Sequence, residues 1–476
     1  MNPVRLRSSL VLLLIALAST CSLSQPDDST QKLSRDIFKQ LIEINTTDSV
    51  GNVTAAAEAM AARLHAAGFP ATDIQIIGPN DRKKNLVARL HGTGKKKPVL
   101  LIGHLDVVEA KRSDWTTNPF QFVEQNGYFY GRGTQDMKGA DAILVTTMIR
   151  FKKEDYQPGR DIILALTADE EGGKSNGVDW LVKNHRDLVD AEFVLNPDGG
   201  GVQLENGKPV MMEMDATEKL YSDYQLKATN PGGHSSLPVL DNAIYHIADA
   251  LAKLERYRFP FELNDVTRAY FAQMSKTETG QKAADMKAIS STPPDEQAIA
   301  RLSDDPLDNS LMHTTCVATR LDGGHANNAL PQTARANVNC RILPGHSIEE
   351  TRQTLLKIVD DSKVTVSSVG SDGEVQSESS PRKSFPPPPL LPQVMNPLER
   401  VTHEMWPGMP VVPAMATGAS DGVYTSPAGM PTFGISGLAI DVNDVRAHGK
   451  DERLPVKSFY DGVEFYYKFL KAVASE

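Results

Sequence analysis

Cysteine is nearly absent, with 3 residues among 476. A disulfide scaffold is therefore excluded, and a chain of this length buries its core without staples. Concentrated positive charge is missing too. Fifty Lys and Arg stand against 60 Asp and Glu, for a net charge of −10. The basic triplet Lys95-Lys96-Lys97 lies between Gly94 and Pro98 and reads as a solvated turn. Phosphate contacts need a concentrated basic surface, so nucleic acid is not an expected partner. Beyond the first two dozen residues there is no apolar run long enough to span a bilayer, so no transmembrane segment is expected. With 40% hydrophobic and 23% charged residues, the chain is neither disordered nor fibrous. Its length suggests two or three domains.

The amino terminus reads as an export signal, residues 1–24. Arg5 and Arg7 precede the short apolar run Leu10 to Ala18, and small residues follow. Cleavage near Ser24 fits the small-residue rule; earlier sites after Ala18 or Thr20 also fit. Cys21 at the end of the run raises lipid anchoring as an alternative. A secreted or periplasmic product is the expectation, with Cys316 and Cys340 left in an oxidising compartment. They are not spaced like a zinc knot.

Apolar periodicity then organises the chain. Leu33 to Ile44 and Ala55 to Ala67 have helical spacing, the second ended by Gly68-Phe69-Pro70. Asn85 to Leu90, Pro98 to Gly103, Asp161 to Thr167 and Glu192 to Asn196 read as strands, separated by helices at Ala140 to Lys152 and Gly177 to Leu188. Such alternation predicts a parallel or mixed sheet with helices on both faces. After Asp215 the texture changes. Leu220 to Ala228, Thr314 to Arg320 and Arg335 to Leu343 alternate like antiparallel strands. Asn242 to Glu255 and Ser347 to Asp360 are helical, and a polar helical insertion runs from Phe259 to Asp308. Ser371 to Pro392, with four consecutive prolines from Pro386, reads as a linker. The expected architecture is α/β: a catalytic domain from residues 25–215 and 393–476, interrupted by a smaller α+β sandwich over residues 216–370.

Chemistry gathers just after the predicted strands. Gly103-His104-Leu105-Asp106 sets an acid two residues beyond a histidine, on the same side of an extended chain, where it can orient the imidazole. Gly131-Arg132-Gly133-Thr134-Gln135-Asp136 is a glycine-rich turn into a helix, and its spacing matches no phosphate-binding fingerprint. Asp169-Glu170-Glu171 packs three acids together, which repel unless solvated or neutralised by cations. Asn196-Pro197-Asp198-Gly199 and the polar loop around His448 complete the set. Each segment alone has an ordinary structural reading as a turn or cap. Their joint occurrence is far more specific.

Taken together and in this order, these segments resemble the co-catalytic zinc metallopeptidase and amidohydrolase family of carboxypeptidase G, carboxypeptidase S, acetylornithine deacetylase and succinyl-diaminopimelate desuccinylase. The resemblance implies a zinc-peptidase-like mixed sheet with an inserted sandwich that forms a homodimer. It makes Asp136 the carboxylate bridging two Zn²⁺ ions, for which Co²⁺ or Mn²⁺ could substitute. His448 and Glu171 complete one site, and His104 and Asp198 the other. Glu170 matches the general base and Asp106 the acid behind His104. In the inserted domain, His234 within Gly232-Gly233-His234-Ser235 matches the histidine that reaches the partner subunit's site. Asn328 and Arg341 match the substrate-binding pair, and Ser420 lies in the matching substrate loop. In relatives the peptide after the bridging Asp is cis, so a cis Asp136–Met137 bond is expected. The implied reaction is hydrolysis of an amide in a small peptide by a carboxypeptidase or dipeptidase, with N-acyl-amino-acid deacylation as the alternative. A non-catalytic metal-dependent binding protein is a remote third reading, disfavoured by the presence of both Glu170 and Asp106.

Cys316 and Cys340 flank Asn328 symmetrically. If their strands pair as antiparallel neighbours, the thiols face one another. Cross-strand bridges are strained, so close thiols rather than a bond are expected.

Overall fold

The computed structural model describes residues 26–370, 373–376 and 385–475. The export signal, Cys21 and part of the proline-rich stretch lie outside them. Among the described residues, no helix is long and apolar enough to cross a membrane.

A ten-stranded mixed sheet forms the centre. Lys96–His104 lies in its middle, parallel to Arg160–Thr167 on one side and to Phe193–Asn196 on the other. Strands buried on both faces need near-continuous apolar sequence, and Val99-Leu100-Leu101-Ile102 supplies it. Val99 and Leu101 enter the larger core, beneath the helices Asp28–Glu43, Lys138–Lys153 and Val456–Ser475. Leu100 and Ile102 enter a second layer with Val178 and Leu181 of helix Gly177–Asn184. Each fully buried aliphatic side chain of this kind contributes about 1.5–3 kcal/mol. The helix expected over Gly177 to Leu188 is broken: His185 leaves helical geometry (φ −141°, ψ 46°), and a short helix Arg186–Val189 follows.

The inserted sheet has five strands, all antiparallel. Leu220–Thr229 lies at its centre, between Thr333–Ile342 and Val364–Val369. Its alternating burial places Leu220, Tyr224, Leu226 and Ala228 against the helices Ala243–Arg256 and Ile348–Val359. Asn242 and Ser347 cap these helices, and Glu350 completes a reciprocal capping box with Ser347; such caps are worth about 1 kcal/mol each. The polar helical insertion does not join this sandwich. Its helices, from Asp265–Thr277 to Pro306–Met312, bury Phe271, Met286 and Leu311 with Val412 and Ala414, which belong to the main sheet.

Two expectations need correction. Cys316 and Cys340 form a disulfide, not a pair of close thiols. Strand register places them directly opposite, with Cα atoms 4.1 Å apart. Thr315–Gly323 is an edge strand with a register shift at Ala318/Arg320, and pairing on one side only leaves it free to adjust. The linker is also shorter than expected. Val375–Gln376 pairs with Val364–Val369, Leu390 and Leu391 pack on the main core, and Pro392 opens a helix to Met405 in the first turn, where proline is tolerated.

Candidate metal centre

Three parallel strands end at the same edge, the usual position for a ligand site in an α/β sheet. His104 is the last residue of its strand. Asp169-Glu170-Glu171 follows Thr167, and Asp198 follows Asn196. A buried turn brings in Asp136, where the peptide to Met137 is cis as expected. Helix Lys138–Lys153 then carries the chain away. His448 comes from a loop more than 300 residues later and takes φ 63°.

The carboxylate of Asp136 faces two histidines with different oxygens. Its Oδ1 lies 3.0 Å from His104 Nε2 and its Oδ2 lies 3.0 Å from His448 Nε2. His104 Nε2 is also 3.6 Å from Asp198 Oδ1, while His448 Nε2 is 2.8 Å from Glu171 Oε2. The result is two N/O sets sharing one carboxylate. His104 Nε2, Asp136 Oδ1 and Glu171 Oε1 are buried with no hydrogen-bond partner. Buried polar atoms are rarely left so, and ligating atoms of His104, Asp136 and Glu171 lie within 4.8 Å of one another. The donor set, imidazole nitrogen with carboxylate oxygen, fits divalent zinc, cobalt or manganese.

Electrostatics point the same way. Burial opposes ionisation of Asp136, but His104 and His448 pull its carboxyl well below the ordinary range. Burial works against a charged His104 ring as well, yet Asp136 and Asp198 hold its imidazolium well above the usual value. Contact with Asp136 raises His448 to about 9. Burial, with repulsion from neighbouring acids, raises Glu170 to about 10 and Glu171 to about 7. So many acids in one buried place need positive charge beside them to stay ionised.

Asp106 does more than the sequence implies. His104 Nδ1 donates to its main-chain carbonyl at 3.1 Å, which leaves Nε2 free as a ligand atom. Its carboxylate, 3.8 Å from that nitrogen, accepts instead from the amides of Glu170 at 3.2 Å and Glu171 at 3.0 Å. One residue thus positions the imidazole and both glutamates. Behind the histidine, a Cβ on Gly103 would lie 2.2 Å from Asp141 Oδ1, so any larger residue there would displace that buried carboxylate.

Several supporting residues escaped the sequence reading. Glu452, fully buried, receives Arg132 Nη1 at 2.6 Å and the amides of Gly133, Gln135 and Asp136 at 3.1, 2.7 and 3.2 Å. Arg132 also donates to the carbonyls of His448 and Gly449, at 3.3 and 2.9 Å. The pair therefore locks the Asp136 turn to the His448 loop. Lys83 forms a buried ion pair with Asp169, whose φ of 58° starts the acidic turn. Asp421 accepts from Asn176 at 2.7 Å, and burial raises its carboxyl to about 7. Arg132 sits in the glycine-rich turn, and Asp421 follows Ser420 in the loop that the family resemblance marks. Nothing local marks Lys83 or Glu452, because their partners are distant in sequence.

His234, Asn328 and Arg341 lie in the inserted domain, and Ser420 in the second part of the main domain. His234 is exposed, its Nδ1 2.7 Å from Ser236 Oγ. It pairs with Ala329 in a two-residue ribbon, which sets it beside exposed Asn328. Arg341 stacks 4.6 Å from the Tyr221 ring centroid. Ser420 donates its amide to Glu218 at 2.6 Å and lines a cavity of about 240 Å³ that reaches Asp198. On the other side, Asp198 and Asp136 line a second cavity of about 250 Å³.

Residues 100–472 match the Peptidase family M20/M25/M40. The chain belongs to this family. Among relatives of this M20 chain is a probable carboxypeptidase S-like protein from Dictyostelium discoideum, 30% identical over 387 residues, which are 79% of this chain and 71% of the relative. An N-fatty-acyl-amino acid synthase/hydrolase from Xenopus tropicalis is 28% identical, over 79% of this chain and 72% of its own. The fold matches an M20 family metallo-carboxypeptidase from Sulfolobus solfataricus with a TM-score of 0.68 at 17% identity, covering 93% of this chain and 99% of that one. A di-peptidase from Saccharomyces cerevisiae matches with a TM-score of 0.64 at 17% identity, covering 94% and 97%. The M20 chain is a metallopeptidase or amidohydrolase.

Proposed function

We propose that the protein hydrolyses the amide bond of small peptides with a free terminal carboxylate, as a dizinc carboxypeptidase or dipeptidase. The observation that carries this reading is the pair Glu170-Glu171, hung by consecutive amides from one carboxylate, Asp106. Glu171 turns to His448. Glu170 is its half-buried neighbour, close enough to His104 and Asp198 for their charges to shift it. One glutamate holds an ion and the next moves protons.

Asp136 would be shared between the ions, with His448 and Glu171 on one and His104 and Asp198 on the other. When bound, the metal pair supplies Lewis acidity and a water acidic enough to attack near neutral pH. The Glu170 carboxylate takes the proton of the attacking water and returns it to the leaving amine. Arg341 and Asn328 grip the substrate's carboxylate, a task suited to a guanidinium fork. His234 donates to the developing oxyanion from the partner subunit. A homodimer built through the inserted domain is part of the proposal. It is supported by the edge strand Thr315–Gly323, whose Val317 and Leu321 are 60% and 68% exposed, and by Tyr245, 63% exposed on the neighbouring helix. Export by the amino-terminal signal is likewise proposed, and amino-terminal sequencing of the mature protein tests it.

The kinship with N-fatty-acyl-amino acid synthase/hydrolases favours a second reading, in which the same site cleaves an acyl amide. A panel of blocked dipeptides and N-acyl-amino acids, assayed on the zinc-loaded protein, separates the two. Higher kcat/KM on the peptides is expected. Cleavage of acyl-amino acids alone would assign deacylation, and a protein that cleaves neither would overturn the proposal.

A further inference from the structure

The proline-rich stretch returns at the active site. Phe385, Pro386 and Pro388 form one wall of the cavity that begins at Asp198. Consecutive prolines favour an extended, stiff backbone. The run is tethered where it ends, since Leu390 and Leu391 pack against the main core. The prolines therefore line the cavity from a tethered end. Leu220 and Val423 face the same space.

Glu218, Lys219 and one oxygen of Asp215 already have partners in this cavity. Glu218 accepts the Ser420 amide at 2.6 Å, Asp215 accepts the Gly200 amide at 3.0 Å, and the Lys219 ammonium donates to the His313 carbonyl at 2.7 Å. The interior offers a substrate carboxylate no free cation, since the lysine that lines it, Lys219, is taken by the His313 carbonyl. Arg341 neighbours residues of the lining: its charge acts on the Lys219 ammonium, and it stacks on Tyr221, the residue after Leu220. A carboxylate on Arg341, an amide beside Asp198 and an apolar recess between them describe one amino-acid residue.

We propose that this cavity receives the apolar side chain of the substrate's carboxyl-terminal residue, and that Phe385 and the adjoining prolines select large apolar residues there. The inference rests on the peptidase reading above and adds a side-chain preference that the metal centre cannot supply. The experiment compares wild type, Phe385→Ala and Ala419→Leu on blocked dipeptides ending in Phe, Leu, Ala or Gly. Ala419 lines the same cavity, and its replacement narrows the space. Wild type should prefer Phe and Leu over Gly, and each variant should reduce that preference by roughly tenfold, as pocket contacts of one side chain do. Calorimetry of the same peptides with the metal-loaded Glu170→Gln protein, with and without Phe385→Ala, reads binding without turnover and should show the same loss for Phe and Leu. A wild type that cleaves none of the peptides overturns the peptidase reading, whereas the binding measurement still judges the cavity. Unaltered preference and unaltered binding in both variants overturn the cavity assignment. So does a loss that follows the amino-terminal blocking group instead of the terminal residue.

Discussion

Glu170 and Glu171 are chemically identical neighbours that the fold sends in different directions. Both amides hang from Asp106, yet Glu171 turns to His448 while Glu170 sits where the charges of His104 and Asp198 act on it. Replacing Glu170 by Gln removes the proton carrier and leaves the ligands, so metal content should stay near that of wild type while kcat falls about 10²–10⁴-fold. Glu171→Ala should lose metal first, and activity with it. Metal analysis beside steady-state kinetics checks both. Equal loss of metal and activity in the Glu170 variant would make it a ligand. Two active variants would mean the constellation has been misread.

Between elements, the decisive contacts are buried ion pairs joining distant segments. Arg132 and Glu452 are both buried, and together they fasten the Asp136 turn to the His448 loop. Removing one partner strands a buried charge, which costs about 3–5 kcal/mol. Glu452→Leu should therefore lower the Tm and weaken metal retention, and adding Arg132→Met should restore part of the stability but not the retention. Thermal melts with and without chelator measure both. A single variant with unchanged Tm would exclude the clamp.

The inserted domain carries a pH-dependent tie of its own. His246, on helix Ala243–Arg256, bonds Asp361 at 2.6 Å and Asp241 at 3.1 Å. Lys363 and Lys253 are the nearby cations, the first beside Asp241 and the second acting on Asp361. Its hydrogen bond to Asp361 raises the imidazolium, and both carboxyls are lowered. The stabilisation is therefore complete below the ordinary histidine value of 6.5 and fades as pH rises through the raised one. On the acid side it fades as pH falls through the depressed carboxyl values. The Tm difference between wild type and His246→Asn should peak in weak acid and shrink above neutrality. A difference that keeps growing as pH rises past neutrality would contradict the pairing.

For the whole molecule, the central question is assembly. His234 is exposed, beside Asn328 on a ribbon of the inserted domain. Mixing His234→Ala with Glu170→Ala tests whether it serves a partner. In a mixed dimer, the first subunit keeps Glu170 and receives an intact His234. Activity should recover toward about a quarter of wild type at statistical exchange. No recovery, with subunit exchange demonstrated, would exclude a shared site.

The sequence by itself determined the strands, the acids at their ends and the family. Pro98 to Gly103 announces itself as an apolar run because its neighbours on both faces are apolar, whereas Lys96 and Lys97, read as a turn, extend that strand to Lys96–His104; His104 and Asp106 are separated by one residue. Such information is local, and periodicity or spacing carries it. The cysteine pairing was legible as register, since equal spacing from Asn328 puts the thiols opposite one another. The bond itself depended on the adaptability of an edge strand. Only the tertiary structure assigned the acidic helper Glu452 to Asp136, because Arg132 and Glu452 meet across 320 residues. It also moved the polar helices onto the main sheet, where Phe271 and Met286 find Val412. The end of a proline-rich stretch became a cavity wall in the same way. An amino-acid pattern records which face of an element is apolar, but the distant element that covers that face is settled only when the chain closes on itself.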